Sequence, residues 1–286
     1  MTTREQRYPA AGPLEDVVRT WLDAGCPAGA PTRRASTVMV LRAGQSGDAE
    51  VGGSGVEVFM QRRVATMAFA PSMWVFPGGG VDPRDGEAEP PWAGPSPDEW
   101  AARLDVPRED AVELVCAAVR EVFEECGVLL AGPDGTSVLR DVSGVRWQQH
   151  RADLLAKESS LSQVLSEERL VLRSDLLSLQ DHWVTPEFEK KRYDTYFFAA
   201  LLPEGQIADD QTTEADVSRW VRPAELLAAL TAGEVMMLAP TSTNLERLTQ
   251  ADAPAAVVGS TPQVIRVMPV AHYDGDQVVM TAQLPV

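Results

Sequence analysis

The sequence predicts an α/β fold, and three observations carry that prediction. Residues 108–126 place Ala111, Leu114, Val115, Ala118, Val119, Val122 and Phe123 at the i, i+3, i+4, i+7 spacing of one helix face. Short β-branched and aromatic runs lie on both sides of this helix, and the two kinds of element are mixed without regular alternation. With 44% apolar and 23% charged residues over 286 positions, the chain has the composition of a folded protein with a sizeable core.

In chain order, PLEDVVRTWLDAG spaces Leu14, Val17, Val18, Trp21 and Leu22 as a short helix that stops at a glycine. RRASTVMVLR and VEVFMQRR read as two strands joined by a long polar hairpin loop from Ala43 to Gly55, expected to be mobile. MWVFPGGG reads as a third short strand broken by Pro77 and three glycines, and the Pro, Gly, Asp and Glu-rich stretch 82–107 as an exposed insertion. Gly127 ends the long helix, after which VLLAGPDG supplies a strand and turn. Residues 145–180 alternate amphipathic runs with Ser-rich breaks and predict a small helical insertion. HWVTP, YDTYFFAALL and DVSRWVR read as strands, and PAELLAALTAG and PTSTNLERLTQ as helices with Pro in the first turn. The tail predicts strands around a turn at Asp274 and Gly275.

Charge narrows the function. Against 25 basic residues stand 42 acidic ones, a formal charge of −17. Such a field repels polyanions and argues against binding a nucleic acid polymer or an anionic membrane, while a small phosphorylated ligand can still be held where a local Arg or a divalent cation reverses it. No apolar run approaches a membrane span and the first residues lack the apolar region of a signal peptide, so a soluble, cytoplasmic protein is expected. Cys26, Cys116 and Cys126 form no CxxC pair and read as ordinary small side chains, and three scattered His residues add no metal spacing.

Chemistry concentrates at the end of the long helix. Glu121, Glu124 and Glu125 stand at i, i+3 and i+4, so three carboxylates leave one side of the helix while Val119, Val122 and Phe123 turn to the core. Clustered carboxylates repel and raise one another's pKa, and hard oxygen ligands at this spacing suit Mg²⁺ or Mn²⁺; the ordinary alternative is a solvated acidic face. Preceding them are Arg120 and, much earlier, Phe76-Pro77-Gly78-Gly79. The glycines Gly78, Gly79 and Gly80 let the backbone approach a metal–phosphate centre closely, or simply make a tight turn.

Arg120-Glu121-Val122-Phe123-Glu124-Glu125-Cys126-Gly127-Val128 after FPGG resembles the Nudix hydrolase family, whose box is G-x5-E-x7-R-E-U-x-E-E-x-G-U. The box is interrupted by the 82–107 insertion, its first Glu position falling on Asp85, with Glu113 one residue from the expected helical place. Interrupted in this way, it resembles the peroxisomal coenzyme A diphosphatase branch, over about Val38 to Leu248 and including HWVTP and KRYDTYFFAALL.

The resemblance implies a Nudix α/β/α sandwich with a mixed sheet and divalent-metal-dependent hydrolysis of a nucleoside diphosphate derivative. It also implies metal ligation by Glu121, Glu124 and Glu125, orientation of Glu121 by Arg120, and a further acidic residue beyond the helix, here Glu214 in QTTEADVSRW, as base or extra ligand. Arg62 and Arg63 resemble the arginine of a coenzyme A signature, although AFAPSMW stands where that signature carries His-x-Gly. Trp74, Trp183, Tyr193 and Phe197 are candidates to stack a base, or are core.

The preferred substrate is coenzyme A or acyl-coenzyme A. The alternatives are an ADP-ribose or NADH pyrophosphatase and a non-catalytic Nudix-fold sensor. The organisation expected is an N-terminal arm (1–33), a Nudix domain (34–250) and C-terminal strands (251–286), the arm and tail being candidates for a homodimer contact.

Overall fold

The computed structural model describes residues 2–9, 12–44, 55–67 and 70–285. In chain order its first elements are β1 (Thr3–Pro9), α1 (Pro13–Asp23), β2 (Thr32–Ala43), β3 (Val56–Arg63), β4 (Trp74–Val75), β5 (Gly78–Gly80) and β6 (Trp92–Ala93). Then come α2 (Pro97–Leu104), α3 (Arg108–Cys126), β7 (Ala131–Gly132), α4 (Val145–Leu155), α5 (Leu161–Glu168), β8 (Val171–Arg173), β9 (Leu177–Val184) and β10 (Arg192–Leu201). The remainder is β11 (Ala215–Val221), α6 (Pro223–Thr231), α7 (Ala239–Thr249), α8 (Pro254–Val258), β12 (Arg266–Val267), β13 (Val270–Asp274) and β14 (Gln277–Pro285).

The central sheet runs β11-β3-β2-β10-β9-β12, with β4 on β3 and β5 on β2. It is mixed: β2 and β10 are parallel, as are β9 and β12, while the other pairs are antiparallel. Strand alternation divides its side chains between two cores. Val38, Val40 and Phe59 pack with α2 and α3, whereas Met39, Leu41 and Met60 pack with Leu226 of α6 and Leu245 of α7. Helices thus cover both faces, and the expected α/β/α sandwich with a mixed sheet is what the chain forms. Two three-stranded sheets, β1-β14-β13 and β6-β8-β7, flank it.

Several expectations need correction. The 82–107 segment is not an open loop: Ser96 and Glu99 form a reciprocal cap on α2, and Trp100 is fully buried against α3 and Phe198. Only two large apolar side chains one turn apart, Trp100 and Leu104, anchor that helix, too few to stand out from a Pro- and Gly-rich context. The helical insertion ends at Glu168 rather than near 180, because Leu172 and Leu177 enter strands. Only Ala131–Gly132 of VLLAG pairs as strand.

The unforeseen β1 lies in register with β14 from Thr3↔Pro285 to Pro9↔Val279, a pairing that local sequence cannot announce. The arm and tail therefore pair with each other inside one chain. The last turn sits one residue later than expected, at Gly275 and Asp276 between paired Asp274 and Gln277. The hairpin loop expected to be mobile lies, over 45–54, outside the described residues; its base is closed by Gly44 N–H donating to Gly55 O at 2.8 Å. No helix of the described residues is long and apolar enough to cross a membrane.

Candidate active site

Helix α3 brings the acidic residues to the inner side of the sandwich. It ends at Gly127, whose φ of 68° is the left-handed conformation a glycine tolerates, and whose N–H donates to Phe123 O at 3.0 Å. No basic residue lies in its last turn, so Glu121, Glu124 and Glu125 crowd the negative end of the helix dipole. Partners come from elsewhere. Arg151 of α4 donates from Nε to Glu124 O at 2.7 Å, and Gln61 of β3 donates to Glu125 O at 3.2 Å. The free carbonyls of the helix end are thereby capped from two sides.

Arg120 is the hub of the cluster. Its Nε and Nη2 donate to Asp85 Oδ1 and Oδ2 at 2.8 and 2.9 Å, its Nη1 donates to Glu121 Oε1 at 2.8 Å and Glu124 Oε2 at 3.1 Å, and Nη2 also reaches Gly80 O at 3.1 Å. Asp85, in the short 3-10 turn Pro83–Asp85, thus closes the two halves of the interrupted box around one guanidinium. Glu113, the other candidate for that place, pairs instead with Arg34 at 2.5 Å.

The glycines sit against this cluster because β5 pairs with β2, Thr37↔Gly78, Ser36↔Gly79 and Ala35↔Gly80. Gly78 N–H donates to Glu125 Oε2 at 3.0 Å. A Cβ on Gly79 would lie 2.5 Å from Glu121 Oε1, so only glycine leaves that carboxylate its place.

All three carboxylates are buried and all three titrate high. Burial pushes Glu121 up to about 7 against the pull of Arg120; burial likewise raises Glu124; burial, then the charges of Glu121 and Glu214, hold Glu125 well above the usual range. Burial opposes the charge of Arg120 as well, but Asp85 and Glu121 outweigh it and hold the guanidinium ionised. Glu124 Oε1 is buried without a hydrogen-bond partner. A cluster of hard oxygen donors short of positive charge, with one oxygen orphaned, fits a divalent cation such as Mg²⁺ or Mn²⁺. The spacing shown is that of an ion-pair cluster, with Arg120 shared between Glu121 and Glu124, and no three His, Cys, Asp or Glu side chains among the described residues are already set to hold a metal.

Glu121, Glu124 and Arg120 face a cleft of about 760 Å³, with Gly78, Gly79 and Gly80 on its wall. The cleft floor is a stripe of β2 and β10: parallel register sets Arg33 beside Tyr193, Ala35 beside Thr195 and Thr37 beside Phe197. Trp183 of β9 adjoins it, its Nε1–H donating to buried Asp181 at 2.7 Å. Part of its wall is apolar, lined by Tyr8, Leu14, Phe188 and Met280, so the paired termini contribute to the cleft. Leu154, Leu155 and Lys157 bring the helical insertion to the same cleft.

Adjacent residues of one strand separate here. Arg63 lines the cleft beside Glu214, whose carboxylate is 3.9 Å from Arg63 Nη2 and which stands in the turn before β11. Arg62 points to the other face, is paired with Asp216 at 2.8 Å, and lines a second cavity of about 780 Å³. Trp74 goes with it, covered by the Arg219 guanidinium 5.1 Å away. Arg62 and Trp74 are therefore removed from the group facing the carboxylates, while Trp183, Tyr193 and Phe197 belong to it. Of the AFAPSMW segment, Ala68 and Phe69 lie outside the described residues. Arg33, Arg84, Lys157 and Arg151 were not singled out from the sequence; only the doubled arginine opening β2 offered a local sign.

The architecture is shared with known structures. A NUDIX hydrolase crystal structure from Alicyclobacillus acidocaldarius superposes with a TM-score of 0.65 at 25% identity, covering 81% of this chain and 97% of that one. The fold is that of a Nudix hydrolase domain. Residues 90–248, more than half of the chain, match the family described as NUDT19 Nudix domain, and the chain belongs to that family.

Among curated relatives, the Caenorhabditis elegans putative nudix hydrolase 7 is 29% identical over 202 residues, 68% of this chain and 56% of that protein. The Xenopus laevis acyl-coenzyme A diphosphatase NUDT19 is 24% identical over 230 residues, 68% of this chain and 60% of that protein. The chain thus spans less than two thirds of the length of these two relatives. The Gallus gallus acyl-coenzyme A diphosphatase NUDT19 is 27% identical over 275 residues, 81% of this chain and 68% of that protein.

Proposed function

We propose that this protein hydrolyses the diphosphate bond of coenzyme A or an acyl-coenzyme A with the help of Mg²⁺ or Mn²⁺. One observation carries the reading: buried, charge-deficient carboxylates and the Gly78–Gly80 backbone open onto a cleft part of whose wall is apolar. A diphosphate needs the first feature, and a pantetheine or acyl chain suits the second. The names of the Xenopus and Gallus relatives agree with it.

Glu121, Glu124 and Glu125 would hold the cation, which when bound neutralises the diphosphate and acidifies water. Arg120 fixes the carboxylates of Glu121 and Glu124, and Asp85 fixes Arg120. Glu214, which lines the cleft, would accept the proton of the attacking water at its carboxylate. Water oxygen then bonds to phosphorus, the bridging P–O bond breaks, and the leaving phosphate takes the electron pair.

The test is mass spectrometry of coenzyme A, acetyl-coenzyme A, ADP-ribose and NADH after incubation with protein and Mg²⁺ or Mn²⁺. Formation of 3′,5′-ADP and 4′-phosphopantetheine is the expected result. AMP from ADP-ribose or NADH alone would transfer the chemistry to another substrate, and silence across the panel with nucleotide still bound would make the protein a sensor.

A further inference from the structure

Five cations line the cleft, Arg33, Arg63, Arg84, Arg120 and Lys157, and four have a carboxylate within ion-pair range, although Arg63 Nε itself is buried without a hydrogen-bond partner. Arg120 is held by Asp85, Glu121 and Glu124. Asp82 takes both Arg84, at 2.9 Å, and Lys157, at 3.1 Å, and Arg63 lies 3.9 Å from Glu214. Arg33 differs. It is exposed, and among the described residues it has no carboxylate in ion-pair range and no hydrogen-bond partner.

Strand register fixes where this guanidinium stands. Ala35 pairs with Gly80 at the edge of the carboxylate cluster, and Arg33 is on the same face of β2 two residues earlier, about 7 Å along the strand. Its neighbour across the parallel pair is Tyr193, also in the cleft. The cation is therefore offset from the edge of the carboxylate cluster by about the length of a ribose and is flanked by an aromatic ring. An exposed arginine without a partner adds almost nothing to stability, and its five donors are all available to a ligand.

We propose that Arg33 binds a phosphomonoester carried by the nucleoside half of the substrate, separate from the diphosphate that is cleaved. A guanidinium meets such a dianion with two parallel hydrogen bonds, which a point charge does not reproduce. On the function proposed above, on which this inference rests, the group is the 3′-phosphate of coenzyme A. ADP-ribose and NADH lack it, so Arg33 sets the choice between these substrates.

The test compares kcat/KM for coenzyme A and 3′-dephospho-coenzyme A in the wild type, Arg33→Gln and Arg33→Lys. The wild type should favour coenzyme A at least tenfold, Arg33→Gln should reduce that ratio to near one, chiefly through KM for coenzyme A, and Arg33→Lys should restore part of it. Calorimetry without metal should show the same preference for adenosine 3′,5′-bisphosphate over AMP, lost in Arg33→Gln. Coenzyme A turnover with a wild-type ratio near one, or an equal loss on both substrates, overturns the role of Arg33 and leaves the function standing. Turnover of ADP-ribose with none of coenzyme A overturns both.

Discussion

The two ends of α3 obey opposite rules. From Ala111 to Val119 the helix buries Ala111, Leu114, Val115, Ala118 and Val119 completely, each against apolar neighbours. From Arg120 to Glu125 it buries four charged side chains, three of one sign, at the dipole end that repels them. The first part stabilises the fold; the second gives stability up, which is what the proposed cation site would require. Burial alone therefore does not distinguish core from site, but burial with unmet charge does.

Substitutions at the two ends should separate activity from stability. Glu125→Gln should lower turnover in the metal-loaded protein about a thousandfold, the loss of roughly 4 kcal/mol of transition-state stabilisation, with no fall in metal-free Tm at pH 8. Leu114→Ala should do the reverse, costing about 2–5 kcal/mol in urea unfolding while each folded molecule keeps its rate. A shared loss of rate and stability in both variants would erase the distinction drawn here. Gly79→Ala comes next: its Cβ must displace Glu121, and a fall in turnover of about 10–100-fold with little change in Tm is expected.

Without metal, the site should tilt the pH dependence of stability. Glu121, pushed up to about 7, and Glu125, also raised, bind protons more tightly in the folded than in the unfolded chain. Unfolding then releases protons, so their contribution is fully present below the ordinary carboxylate range and is lost as pH rises toward 7 and beyond. Tm in a chelator should fall between pH 5 and pH 8, and Mg²⁺ should flatten that slope; a Tm that rises over the same range would contradict the charge deficit. The smallest effect belongs to the far side of the sheet. Asp216→Ala frees Arg62 and should leave both Tm and turnover unchanged, because that solvent-screened pair faces the other cavity.

Local pattern was enough for the long helix, the strands around it and the carboxylates, since 3.6 and 2 residue periods are properties of neighbouring residues. Helix α3, the glycines of FPGGG and the Glu121, Glu124, Glu125 triplet were legible for that reason. Arg62 and Arg63 were equally visible and could not be told apart, because which face of β3 meets the cleft depends on its partners β2 and β11.

By itself, the sequence determined the fold class, the family and the acidic end of the long helix to which the chemistry is assigned. Tertiary structure alone decided that Asp85 rather than Glu113 anchors Arg120, that Arg151 caps α3, that β1 and β14 wall the cleft, and that Arg33 stands within it unpaired among the described residues. Each of these joins residues far apart in the chain. Periodicity and propensity act within a few residues, whereas register, charge pairing and cavity shape arise only when distant segments are packed together.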